Sequence, residues 1–299
     1  MHELANILKK MEIGDVIENE PLANHTTWKV GGPADLFVIP DNREKLELAM
    51  QHIRAAAVPW FVIGRGSNLL VRDGGFRGVV LSLERLNGVR FMGQRLAAEA
   101  GCSFVRVAVL AAQMGLGGLE FAGGIPGSVG GAVYMNAGAH GSDVSQVLEE
   151  VTVLTENGPA RFARDQMEFD YRTSRLQHEP GIVVEAVFSL KPADRAEIME
   201  KMRQYRLKRL NTQPLNLPCA GSVFRNPPGD YAARLIESAG LKGKTVGGAQ
   251  VSRLHANFIV NVGHATANDI LTLIAECQEI VREKFGVQLH TEVRIAGED

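Results

Sequence analysis

Apolar positions along the chain follow two rhythms. Over residues 43–57, Leu46, Met50, Ile53 and Ala57 return at the three- and four-residue spacing of one helix face. Short, nearly continuous apolar runs lie on either side. Asp35-Leu-Phe-Val-Ile39 is closed by Pro40, and Trp60-Phe-Val-Ile63 by Gly64. Such runs predict buried strands, and with further strands at Leu69–Val71 and Gly78–Leu83 the first region reads as a β-α-β unit. Strands are also predicted over Arg95–Ala100, Val147–Thr155, Ile182–Leu190, Asn257–Val260 and Val287–Ile295. Helices are predicted over residues 2–12, Ser103–Met114, 193–210, Asp230–Ser238 and Ala267–Phe285. The last has Thr266 to cap its start and Gly286 to end it. Between the helical stretches, Gln213-Pro-Leu-Asn-Leu-Pro218 reads as an extended linker, because proline breaks helices and restricts its neighbours. A domain boundary is placed there. No internal repeat interrupts this order.

One uncharged stretch, Phe121 to Ala139, has the length of a membrane span. It holds Gly123, Gly124, Pro126, Gly127, Gly130, Gly131 and Gly138, so a packed loop with tight turns is the better reading. Composition agrees with a soluble globular chain: 45% apolar and 22% charged residues over 299 positions. The formal net charge of −2 gives no electrostatic case for nucleic acid or membrane as partner. Cys102, Cys219 and Cys277 are odd in number and widely spaced, which predicts reduced thiols and neither a disulfide framework nor a zinc site. The first sixteen residues lack an apolar signal core. A cytoplasmic protein without bound metal is expected.

Several segments can carry chemistry. Gly64-Arg-Gly-Ser-Asn-Leu69 follows a strand and can bring backbone N–H groups close to an anion. It fails as a dinucleotide fingerprint, since Leu69 stands where the third glycine belongs. Gly123-Gly-Ile-Pro-Gly-Ser-Val-Gly-Gly-Ala132 lacks the lysine of a phosphate-binding P-loop. It can still wrap a pyrophosphate through N–H groups, or serve as a tight crossover with positive-φ positions. Tyr171-Arg-Thr-Ser-Arg175 puts two planar cations three residues apart, either to hold a carboxylate or phosphate or as a solvated basic patch. Gly221-Ser-Val-Phe-Arg-Asn-Pro227 joins a hydroxyl, a guanidinium and an amide, without the elbow motif of a serine nucleophile. His290, Glu292 and Arg294 share one face of the last predicted strand, by its two-residue period. That face suits either a site or the solvent side of an edge strand.

Together these segments resemble the UDP-N-acetylenolpyruvoylglucosamine reductase family, also called UDP-N-acetylmuramate dehydrogenases. The resemblance runs from Thr26-Thr-Trp-Lys-Val-Gly-Gly-Pro33 to Thr291-Glu-Val-Arg294. It implies an α+β chain with the FAD-binding fold of the vanillyl-alcohol-oxidase type, made of two α/β subdomains and a smaller substrate-binding domain. Residues 1–90 and 91–210 would be the subdomains, with strand 288–299 joining the first, and residues 211–287 the substrate domain. Between Arg175 and Ile182 there is no room for an inserted tyrosine loop, so the shorter family type is implied.

The implied activity is reduction of an enolpyruvyl ether on UDP-N-acetylglucosamine to the lactyl ether, with NADPH as co-substrate and FAD as cofactor. Its place would be peptidoglycan synthesis, on which cell shape and division depend. Matched position by position, the resemblance assigns catalysis to Arg172, Ser222 and Glu292. FAD would lie on Gly64, Arg65, Gly66, Ser67, Asn68 and Leu69, and on Gly123, Gly124, Ile125, Pro126, Gly127, Ser128, Gly130, Gly131 and Ala132. The UDP-sugar would meet Tyr171, Arg225 and Asn226. Glu292 can stabilise an enolate only with a proton or a bridging donor, so a raised pKa is expected. A monomer is expected, as no exposed apolar repeat suggests an obligate interface. Two other readings remain: an FAD oxidase for another substrate, and a nucleotide-sugar-binding protein without flavin.

Overall fold

In the computed structural model, which describes all 299 residues, the chain passes back and forth between two units. The first comprises Met1–Glu18, Leu36–Gly64 and Val79–Arg209; the second comprises Asn19–Asp35, Arg65–Gly78 and Leu210–Asp299.

Two larger sheets, with two short two-stranded pairings, build the first unit. Within it, one sheet orders its strands as residues 14–18, 36–40, 79–82 and Trp60–Ile63. Trp60 pairs with Val79 and Ile63 with Ser82 in parallel register. Leu36, Phe37, Val38, Val79, Val80 and Leu81 are fully buried, as strands covered on both faces should be. The helix Arg43–Ala55 turns Leu46, Met50 and Ile53 into the core. Asn42 caps it by accepting the Lys45 N–H at 2.9 Å. It stops two residues short of the predicted end, where Ala57 takes φ +50°.

The other sheet is five-stranded and antiparallel. Its order is Gly158–Ala163, Leu148–Thr155, Ile182–Ser189, Arg95–Glu99, Val89–Met92. The helix Phe104–Gln113 buries Phe104 between Phe121 and Phe188, at ring separations of 6.0 and 6.1 Å. The stretch read as a loop, Phe121 to Ala139, contains more structure than expected. A 3-10 turn covers Glu120–Gly124, and a short helix covers Val129–Tyr134 with Ser128 as its cap.

A smaller core organises the second unit. Its three-stranded antiparallel sheet, Thr245–Val246, Ala249–Val251 and Ile259–Asn261, carries the helices Ala232–Ser238 and Ala267–Phe285. Thr266 and Asp269 form a reciprocal capping box at the start of the long helix, and Gly286 closes it at φ +68°. Asp73 adds its carboxylate, accepting the Ala267 and Asn268 N–H groups at 2.8 and 2.9 Å. Trp28 is fully buried and donates its indole N–H to the Ile259 carbonyl at 2.8 Å.

The predicted strand Val287–Ile295 is not continuous. Thr291 makes an isolated bridge to Phe224, and regular pairing begins only at Arg294–Ala296, parallel to Leu69–Val71. The alternation is real, with Leu289 and Val293 buried. What breaks the strand is a change of partner: the segment pairs first with residues 223–225 and then with residues 68–71. No helix is long and apolar enough to cross a membrane.

Candidate active site

In the first unit, Gly64 ends its strand against the second glycine-rich segment. A Cβ built on Gly64 would lie 2.5 Å from the Ser128 hydroxyl oxygen. The Ser128 hydroxyl accepts the Gly131 N–H at 3.3 Å. Val129 and Gly130 donate to the Cys102 and Ala100 carbonyls, both at 2.9 Å. The first turn of this helix therefore uses its N–H groups inside the protein. Those of Gly127 and Ser128 donate to no acceptor in the unit.

None of Gly123, Gly124, Gly127, Gly130 and Gly131 has a positive φ. Close packing surrounds three of them, against Ala100 at Gly130 and against movable side chains at Gly123 and Gly124. A Cβ on Gly130 would come to 3.0 Å from the Ala100 Cβ, one on Gly123 to 2.7 Å from Met202 Cε, and one on Gly124 to 2.8 Å from Arg209 Cδ. The Arg209 guanidinium also donates to the Gly124 carbonyl. Pro126 is exposed, Ile125 is half-buried and packs against the core, and Ala132 is buried in it.

Tyr171 and Arg172 form a two-residue turn closed by the pair Asp170–Thr173, with backbone bonds of 3.2 and 3.0 Å. Arg172 sits at φ +57°, a conformation that costs an L-residue about 1–2 kcal/mol. The turn is held from beneath. Asn136, itself buried, donates to the Asp170 carbonyl at 3.0 Å, Gln177 donates to the Arg172 carbonyl at 3.0 Å, and Ser174 donates to Tyr134 at 2.7 Å. The Arg172 guanidinium donates to the Gly138 carbonyl at 2.9 Å and lies 5.1 Å from the Tyr171 ring centre. This is a strained residue fixed by its surroundings.

In the second unit the other glycine loop continues with Arg65, which is exposed. Gly66 has φ +60°, and a Cβ there would stand 2.1 Å from the His25 carbonyl oxygen and 2.7 Å from the Thr26 Cα. The Gly66 carbonyl accepts from the Thr27 N–H at 3.1 Å and the Thr27 hydroxyl at 3.2 Å. The N–H groups of Arg65, Gly66, Ser67 and Asn68 find no acceptor in the unit. Consecutive backbone donors without acceptors in their own unit suit an anion. Such donors fit a phosphate of a dinucleotide cofactor. Gly66→Ala adds a clash with backbone to an αL penalty. We expect a cost of about 2–4 kcal/mol, seen as a lower thermal midpoint and a lower flavin content. A midpoint and flavin content equal to the parent's would contradict this account of the loop.

Ser222 follows Gly221, which turns the chain at φ +75°. The next residues are clamped from both sides. Val223 donates to the Asn257 carbonyl at 2.8 Å, while its own carbonyl accepts the Glu292 N–H at 2.8 Å. Arg225 donates its N–H to the His290 carbonyl at 2.9 Å. Asn68 reaches into the same place, its amide donating to the Glu292 carbonyl at 3.2 Å and its carbonyl accepting the Arg294 N–H at 3.0 Å. Thus Ser222, Glu292 and the end of the glycine loop, far apart in sequence, converge in one unit. His290 and Arg294 are exposed and Glu292 is half-buried. Asn226 accepts the Ala232 N–H at 3.1 Å, which gives it a helix-capping task besides any contact with substrate. Tyr171 is 46% exposed, and Arg225 half-buried.

Sequence reasoning missed Asn257. It is 4% exposed, and its side chain accepts the Phe224 N–H at 2.9 Å and donates to the Phe224 carbonyl at 2.8 Å. The available signal was an amide in an apolar strand pattern. Burial pushes the Cys102 thiol up to about 11 and that of Cys277 up to about 12, so neither is a nucleophile near neutral pH. No group of three His, Cys, Asp or Glu residues is arranged to hold a metal ion.

The sequence matches two family models: the FAD binding domain over residues 34–162, and the UDP-N-acetylenolpyruvoylglucosamine reductase, C-terminal domain, over residues 213–296. The UDP-N-acetylenolpyruvoylglucosamine reductase of Bacillus pumilus is 53% identical over 302 residues, covering 100% of both chains. That of Bacillus subtilis is 50% identical over 300 residues, covering 99% of each. The crystal structure of the reductase from Thermus caldophilus superposes with a TM-score of 0.81 at 36% identity, covering 94% of this chain and 98% of that one. An alkyldihydroxyacetonephosphate synthase shares the fold at a TM-score of 0.51 and 19% identity, over 64% of this chain and 41% of its own.

Proposed function

The chain belongs to the UDP-N-acetylenolpyruvoylglucosamine reductase family, and from that premise we propose that Arg172, Ser222 and Glu292 carry its reaction. It is a flavoenzyme of cell-wall synthesis that reduces UDP-N-acetylenolpyruvoylglucosamine, built on the FAD-binding fold of the vanillyl-alcohol-oxidase type. The proposal adds NADPH as the electron source, UDP-N-acetylmuramate as the product, and a cytoplasmic monomer as the working form. The observation that carries the residue assignment is the direct pairing of the Ser222–Val223 segment with Glu292, through the 2.8 Å bond between the Glu292 N–H and the Val223 carbonyl.

Bound FAD supplies hydride equivalents, and the residues of the two glycine-rich segments, 64–69 and 123–132, would hold it. The rest of the chemistry falls to side chains. As the outer carbon of the enolpyruvyl group becomes a methyl, negative charge builds on the inner carbon and its carboxylate. The Arg172 guanidinium holds that carboxylate by charge-assisted hydrogen bonds, which strengthen as the charge grows. Glu292, carrying a proton, donates to the same developing charge. The Ser222 hydroxyl delivers the last proton to the inner carbon. An alcohol is a weak acid, but its target is a strongly basic carbon and its position is fixed. Tyr171, Arg225 and Asn226 contact the UDP-sugar in this reading.

Neither glycine segment contains histidine or cysteine, the usual points of covalent flavin attachment. The purified protein should therefore be yellow, and acid precipitation should release its flavin into the supernatant. It should also convert the enolpyruvyl UDP-sugar with one NADPH consumed per lactyl ether formed. A colourless protein that binds UDP-sugars would sink the enzymatic reading, and flavin retained in the acid pellet would sink the non-covalent one.

A further inference from the structure

We propose that Asn257 is a positioning residue for the proton donor Ser222, an inference that rests on the role given to Ser222 above. Asn257 makes three hydrogen bonds to the two residues that follow Ser222. Its carbonyl accepts the Val223 N–H at 2.8 Å, its side-chain oxygen accepts the Phe224 N–H at 2.9 Å, and its side-chain amide donates to the Phe224 carbonyl at 2.8 Å. Asn257 and Phe224 are both buried, and Val223 is fully so. Water therefore offers these groups no easy replacement, and losing a partner leaves the full desolvation cost unpaid.

The chain needs such a clamp at this point. Gly221, immediately before Ser222, has a positive φ and open space around its absent Cβ. Gly221 has no side chain of its own to pack there. On the other side the Val223 carbonyl is tied to the Glu292 N–H. Asn257 and the Glu292 backbone thus grip one dipeptide from opposite edges, which sets the position of Ser222 relative to Glu292.

Asn257 is itself fixed. Its own N–H points to Nδ1 of His255 at 3.3 Å, and the Ser252 hydroxyl accepts the Leu254 and His255 N–H groups at 3.1 and 3.2 Å. The Ser252 N–H and the Phe258 carbonyl close the same turn at 2.8 Å. A side-chain amide presenting one donor and one acceptor to the same backbone residue acts like a strand partner. Aspartate keeps the shape and the acceptor, but places a second carboxylate oxygen against the Phe224 carbonyl.

The test begins with the parent holoenzyme, whose Phe224 amide should be strongly protected in hydrogen exchange. Exchange at the rate of an open loop would overturn the clamp without any variant. In Asn257→Asp, reoxidation by the enolpyruvyl substrate should slow by about 10- to 100-fold, as expected for a displaced catalytic group. Reduction of the flavin by NADPH should stay within about twofold of the parent, because Ser222 has no part in that half. Protection at residues 222–225 should fall, and the product should lose stereochemical purity at its new centre. Equal slowing of both halves, or reoxidation at the parent rate, would overturn the inference. Ser222→Ala, run alongside, separates the two proposals. A fast Ser222→Ala means that Ser222 is not the donor. A slow one beside a parent-like Asn257→Asp means that Asn257 does not position it.

Discussion

Ser222→Ala should leave the enzyme able to take electrons from NADPH and nearly unable to pass them on. Flavin reduction depends on the cofactor and its cradle, where Ser222 has no part. Product formation needs a proton at the inner carbon, and general acids typically contribute about 10²–10⁴-fold. Stopped-flow absorbance follows each half separately, so we expect a parent-like first phase and a second slowed by that factor. Glu292→Ala should slow the same second phase, by about 10²–10³-fold, as for other groups that stabilise developing charge. The fold gives a reason for the shared phenotype. Ser222 precedes Val223, whose carbonyl holds the Glu292 N–H, so both groups stand on one hydrogen-bonded pair of segments. Parent-rate reoxidation in Ser222→Ala, with unchanged stereochemistry, would exclude Ser222 as the donor.

That pairing could not be read from spacing. Seventy residues separate Ser222 from Glu292, and the resemblance alone brought them together. Elements governed by local chemistry were legible: the helix Ala267–Phe285 begins at Thr266 and ends at Gly286, because caps and terminal glycines act within one turn. The helix Val129–Tyr134 was not. Two of its six residues are glycine, and its start depends on carbonyls of Ala100 and Cys102 supplied by a distant segment. Glycine count alone also misled about backbone conformation. Gly66 is left-handed, while Gly130 packs closely against Ala100 at ordinary φ. Periodicity marked Leu289 and Val293 as inward-facing but could not reveal that the segment changes partner between Glu292 and Arg294. Asn257 escaped notice for a similar reason, since a buried amide declares itself only once its partner is known.

Arg172→Gly should separate stability from activity. At φ +57° glycine is at ease where arginine is strained, so the substitution relieves about 1–2 kcal/mol. It also removes the guanidinium's interactions, among them the bond to the Gly138 carbonyl and the contact with the Tyr171 ring, which offset that relief. The thermal midpoint should therefore stay within a few degrees of the parent. Catalysis has no such compensation. The substrate carboxylate loses its cation in the ground state and in the transition state alike. KM should rise, and reoxidation should slow by about 10²–10³-fold, while flavin reduction by NADPH continues unchanged. Arg172→Lys should fall between the two: it keeps a charge, but it keeps the backbone strain as well and lacks the planar fork that grips a carboxylate. If Arg172→Gly turned over the substrate like the parent, the strain at this turn would need another explanation. A collapse of the midpoint in Arg172→Gly would point instead to a structural task for the guanidinium, through its hold on Gly138.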